Sequence, residues 1–120
     1  MDTAALHPAL MPLFAPPVQG FLISLLAQDP AALLARYRGP VLVLHGRRDI
    51  QAVVADAERL AAARPGVNLV MLDDVNHVLK RVASDDRAAN AATYADPDLP
   101  LAPGVVDAIA GFVSAHRRAR

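Results

Sequence analysis

Val41-Leu42-Val43-Leu44-His45-Gly46-Arg47-Arg48-Asp49 is the stretch on which the reading of this 120-residue chain turns. It opens as a short apolar run with β-branched residues at alternate positions and closes on turn-forming residues. A strand buried on both faces reads this way, and such strands belong to parallel sheets. Just upstream, Arg38-Gly39-Pro40 ends any preceding helix, because the residue before proline is pushed out of the α region and glycine terminates helices cheaply. Downstream the period changes to that of a helix: Val53, Ala57, Leu60, Ala61 and Arg64 share one face, until Arg64-Pro65-Gly66 stops it. Asn68-Leu69-Val70-Met71-Leu72 is then a second buried strand. The crossover is long enough to make the two strands parallel neighbours, so the fold class is α/β with a strand, helix, strand core.

The flanks divide a single domain into 1–39, 40–82, 83–103 and 104–120. In the first segment Pro8, Pro12, Pro16 and Pro17 permit only short helical turns up to residue 17, expected to be packed but irregular. Val18 to Ala27 is apolar enough for a buried helix, and Asp29-Pro30 supplies an N-cap and first-turn proline for another running through Tyr37. Residues 83–103 have no apolar period and read as one long loop. After Pro103-Gly104, the spacing of Val105, Ile109, Phe112, Val113 and His116 predicts a closing helix, with Arg117, Arg118 and Arg120 near its negative end.

Composition narrows the partners. Hydrophobic residues make up 54% of the chain, yet there are no Trp, two Tyr and three Phe, so the core must be a thin one of Ala, Leu and Val. Twelve basic residues balance twelve acidic ones, which leaves no net field for nucleic acid or an anionic surface and suits a small neutral or apolar partner. Without cysteine there is no disulfide framework, thiolate zinc site or cysteine nucleophile. The longest apolar run, from Gly20 to Ala27, is far short of the roughly 20 residues a bilayer span requires. The first residues lack the basic region of a signal peptide, so the expected compartment is the cytoplasm. No glycine-rich phosphate loop is present, and no cofactor is expected.

In an open parallel sheet the reactive groups collect in loops at the carboxyl ends of the strands. Asp49 follows the first strand there and His77 the second, in Asp73-Asp74-Val75-Asn76-His77. Adjacent strands lie only about 5 Å apart, so these loops can bring a carboxylate to an imidazole. A carboxylate on Nδ1 fixes the tautomer and stabilises the imidazolium during proton transfer. Asp73 and Asp74 compete for the same histidine but fit a polar turn better. His45 beside Asp49 and His77 offers a three-ligand metal site as a minor alternative to a packing or hydrogen-bonding role; no metal is expected.

Strand, Gly46-Arg47-Arg48-Asp49, helix, strand and Asn76-His77-Val78-Leu79-Lys80 together resemble the C-terminal part of an α/β-hydrolase of the esterase, lysophospholipase and serine-aminopeptidase group. The resemblance covers most of the chain, with residues 1–38 similar to the stretch that follows the cap. It implies Asp49 as triad acid and His77 as general base in ester or amide hydrolysis. Two positions depart from the pattern: Ala52-Val53 stands where the family usually has Val-Pro, and Asp73-Asp74 where it often has Pro-Gly. The family's nucleophile is a serine in a Gly-x-Ser-x-Gly elbow that precedes the acid, and this chain has none. Its serines are Ser24, Ser84 and Ser114, and only Ser24 precedes Asp49, inside a predicted helix.

A hydrolase segment with acid and base but no nucleophile is therefore expected to be inactive alone. A two-stranded parallel core also leaves unpaired edges and apolar faces, which invite another chain. Self-association, with or without exchanged elements, is expected, or pairing with a chain that supplies the rest of the sheet. The alternative function is a non-catalytic assembly module that uses this open edge. A weaker third reading has the dyad activate water directly.

Overall fold

The computed structural model of the chain describes residues 7–117. A 3-10 helix, Pro8–Phe14, leads into α1 (Pro16–Leu26) and α2 (Pro30–Arg36). The central unit is β1 (Val41–Gly46), α3 (Val54–Ala62) and β2 (Val67–Leu72). Then come α4 (Arg87–Ala92), a 3-10 turn at Thr93–Ala95, and α5 (Val105–Ala115).

β1 and β2 pair in parallel, with Val41 opposite Val67 through to Gly46 opposite Leu72. The expected α/β core is present. α3 crosses over this sheet, contacts both strands and buries Ala57 against them. Val53, placed by its spacing inside the helix, stands instead at the N-cap, where its backbone N–H donates to Asp56 Oδ2 at 3.3 Å. The helix stops at Ala62, and Gly66 at φ +83° makes the turn into β2, a conformation free of penalty only for glycine.

The apolar centre lies at the carboxyl ends of the strands. Val75, Ala102 and Val105 form it, with Leu44, Leu72 and Leu79 packed around them. The chain after β2 folds back over this point: Val75 bridges Arg81, Lys80 bridges Leu101, and Ala102 N–H donates to the Leu79 carbonyl at 2.8 Å. Leu79 itself sits at φ +60°, where a branched side chain is strained. Its packing on the core and its bond to Ala102 hold it there.

Three further sequence expectations change. Pro8–Phe14, expected to be irregular, is a 3-10 helix, and α1 begins at Pro16 because prolines fit a first helical turn; the part of that expectation that falls on residues 1–6 lies outside the described residues. α1 was expected to be buried but contributes no buried residue, leaving Phe21 67% and Leu26 70% exposed. The stretch 83–103 holds a helix and a 3-10 turn. Asp86 caps α4 by accepting from the N–H groups of Ala88 and Ala89 at 3.2 and 3.1 Å. Of the predicted basic tail only Arg117 is among the described residues; Arg118 and Arg120 lie outside them.

The chain as a whole is open. Its accessible surface is 8586 Å², against about 6,200 Å² for a compact monomer of its mass. Its radius of gyration is 17.6 Å, against about 14 Å for a compact chain of this length. Among the described residues no single helix is long and apolar enough to cross a membrane.

Candidate functional site

β1 and β2 end side by side, and the loops that leave them are stitched together by the backbone. Arg47 N–H continues the ladder to the Leu72 carbonyl at 2.9 Å, and Arg48 N–H reaches the Val75 carbonyl at 3.0 Å. A tight turn follows, with Asp49 N–H bonded to the Gly46 carbonyl at 3.1 Å. On the other strand the Asn76 carbonyl accepts from Leu79 N–H at 3.0 Å, so His77 and Val78 occupy the centre of a turn. These two turns face each other. His77 Nδ1 lies 2.8 Å from Asp49 Oδ2.

The two partners have opposite exposure. The Asp49 side chain is 6% exposed and that of His77 is 43% exposed. Burial pushes the Asp49 carboxyl up, but the N–H groups of Ala52 and Gln51 and the imidazole of His77 outweigh it and hold the pKa below the ordinary 3.8. The two backbone donors both reach Oδ1, at 3.0 Å from Ala52 and 2.7 Å from Gln51, which leaves Oδ2 for the histidine. Above that pKa the carboxylate only accepts, so an imidazole with one proton carries it on Nδ1 and leaves Nε2 as its bare ring nitrogen.

A consequence for stability follows from the direction of that shift. A carboxyl held below its unfolded pKa stabilises the fold fully above 3.8 and loses that contribution as pH falls through the lower folded value. Acid titration followed by circular dichroism should therefore show Asp49→Asn less stable than the parent near neutrality. The difference between the two should shrink below about pH 4. An undiminished gap at low pH would mean that the carboxylate charge contributes nothing.

The competing acids are engaged elsewhere. Asp73 Oδ1 pairs with Arg47 Nε at 3.0 Å, and Asp74 Oδ1 with Arg48 Nε at 3.1 Å. The guanidinium of Arg48 also bonds Asp85. The double arginine before Asp49 and the double aspartate before His77 thus clamp the two loops together. His45 is buried with Nε2 unpartnered, and among the described residues no group of three or more His, Cys, Asp or Glu stands together to hold a metal ion. His7 and His116 are exposed.

Ser24 lies within α1, Ser114 lies within α5, and the Ser84 hydroxyl accepts from Asp86 N–H ahead of α4. None of the three hydroxyls bonds His77, whose only side-chain hydrogen-bond partner among the described residues is Asp49. A groove of about 510 Å³ runs between α5 and the sheet, past Leu42, Leu69, Val70 and Phe112, but Asp49 and His77 are not in its walls.

Sequence reasoning missed the polar shell behind the dyad. Asn76, fully buried, bonds Asn90 of α4 at 3.1 Å and Thr93 at 2.7 Å, and Asn90 donates to the Arg48 carbonyl at 2.7 Å. Lys80 Nζ bonds the Thr93 carbonyl at 2.9 Å and also the Asp96 carbonyl. The available signal was Asp86 ahead of an alanine-rich hexapeptide, a capped helix without an apolar stripe. No protein-family model matches the chain, and no curated protein or solved structure matches it either.

Proposed function

We propose that this chain is the acid and base half of an acyl-transfer site of the α/β-hydrolase kind, acting on esters or amides when another chain supplies the nucleophile. The observation that carries the reading is the 2.8 Å bond from His77 to Asp49 across the carboxyl ends of two adjacent parallel strands. In this scheme His77 Nε2 takes the proton of an incoming hydroxyl as that oxygen attacks the carbonyl carbon. Asp49 keeps the imidazole oriented and stabilises its charge, and the same Nε2 then returns the proton to the leaving group. The partly exposed imidazole and the lack of a serine bonded to it support a site that another chain completes.

Treatment of the isolated chain with a serine-directed fluorophosphonate should give no adduct. The same reagent applied to the chain with its co-purifying partner should label the partner, and hydrolysis by that complex should disappear in His77→Ala. An adduct on Ser24, Ser84 or Ser114 would overturn the proposal.

The bare apolar surface of α1 favours a second reading, a non-catalytic assembly module. The two readings part at His77: the alanine variant destroys turnover in the first and leaves association untouched in the second.

A further inference from the structure

Burying a carboxamide away from water is costly unless each of its polar atoms finds a partner. This chain buries two such groups in contact, Asn76 at 0% and Asn90 at 3% exposure, directly behind the dyad. Asn76 is the residue before His77. Asn90 bonds the carbonyl of Arg48, the residue before Asp49.

The polarity of the chain of bonds is set by its ends. Lys80 N–H can only donate, and it donates to Asn76 Oδ1 at 3.0 Å. That turns Asn76 Nδ2 toward Asn90 Oδ1 at 3.1 Å and Thr93 Oγ1 at 2.7 Å. Asn90 Nδ2 then faces the Arg48 carbonyl, which can only accept, at 2.7 Å. The Thr93 hydroxyl closes the network by donating to the Asn90 carbonyl at 2.8 Å. Neither amide can turn over without setting donor against donor or acceptor against acceptor.

We infer that Asn90 is a positioning residue for the His77–Asp49 pair: its one carboxamide ties the residue before the acid to the residue before the base. It touches neither reacting side chain and acts through the two backbones. α4 buries no other residue, so its contribution to the fold is this link rather than apolar packing. The inference takes from the proposed function only the meaning of the dyad as a proton relay. Its test does not require turnover, so failure to find a nucleophilic partner leaves it standing.

Asn90→Asp keeps the shape and removes the donor to Arg48. In the parent chain, nitrogen-15 NMR of the imidazole, recorded across a pH series to reach the singly protonated ring, should report a single tautomer for His77, with the Nδ1 proton slow to exchange. In Asn90→Asp that proton signal should be lost and the two ring nitrogens should become averaged. Ala57→Gly, which loosens buried α3 away from the loops, should lower Tm without changing the His77 spectrum. A folded Asn90→Asp chain that keeps the single tautomer overturns the inference, as does loss of the tautomer in Ala57→Gly. Should Asn90→Asp not fold, warming of the parent chain decides. The His77 Nδ1 proton and the Asn90 side-chain amide protons should disappear together, and survival of the first after the second has exchanged overturns the inference.

Discussion

Gly46→Ala is expected to destabilise the chain by about 3 kcal/mol or more, the upper range for forcing atoms into a filled space, and to separate His77 from Asp49. A Cβ built on Gly46 lies 2.1 Å from the Val75 carbonyl oxygen and 2.5 Å from its carbon, with the Asn76 carbonyl oxygen at 3.1 Å. All three are backbone atoms, so no side-chain rotation relieves the clash. The Val75 carbonyl is also the acceptor for Arg48 N–H, at 3.0 Å. Pushing it aside breaks the bond that joins the acid loop to the histidine loop and shifts the peptide leading into His77. With a core as thin as this one, the loss is a large part of a total stability that is about 5–15 kcal/mol in ordinary domains. Thermal melting should show Tm lower by more than about 10 °C, and the His77 imidazole should lose its single tautomer even well below the new Tm. A variant that melts within a degree or two of the parent would show that the close approach of the two loops is not needed.

That glycine also shows which parts of the chain were legible. The strands announced themselves because Val41–Leu44 and Leu69–Leu72 are continuous apolar runs between turn residues, and the helix between them because its spacing changes to 3.6. Their adjacency then placed Asp49 and His77 at one sheet edge, a consequence of topology rather than of any local signal. α4 escaped because the cue used to find helices is an apolar stripe, and this helix buries an asparagine. The stretch 83–103 has no apolar period for the same reason: it is tied down by Asn90, Thr93 and Lys80 through hydrogen bonds. Periodicity cannot register such a segment. α1 failed in the opposite sense. Its residues are mostly apolar, which is how a buried helix reads. The burial is not provided within the described residues. Under the proposed function, an uncovered α1 and a dyad without a serine beside it are both features that a second chain would complete.

The second large effect concerns that surface. Replacing Phe21 and Leu26 together by glutamate is expected to abolish association while leaving the fold intact. Val18, Phe21, Ile23, Leu25 and Leu26 are all exposed on α1, and from Thr3 to Gln28 the chain has no Asp, Glu, Lys or Arg. Large exposed apolar patches are rare on a monomer, which makes this helix the candidate interface of the proposed assembly. Phe21 and Leu26 are the most exposed of these side chains, at 67% and 70%. Changing them should therefore alter folding stability by no more than about 0.5 kcal/mol, as for surface sites generally. In an assembled interface the same two carboxylates would be stripped of water without partners, at a cost of several kcal/mol, enough for a loss of affinity of at least about 100-fold. Sedimentation at micromolar concentration should show the parent chain above its monomer mass of 12.7 kDa and the double variant at it, with equal Tm for the two once dissociated. His77→Ala should sediment like the parent, since the dyad lies in the loops at the strand ends and not on α1. A parent chain that is already monomeric, alone and with extract from its source, would remove the case for a completing partner. The 2.8 Å bond between His77 and Asp49 would then belong to a structure that works, if it works, by itself.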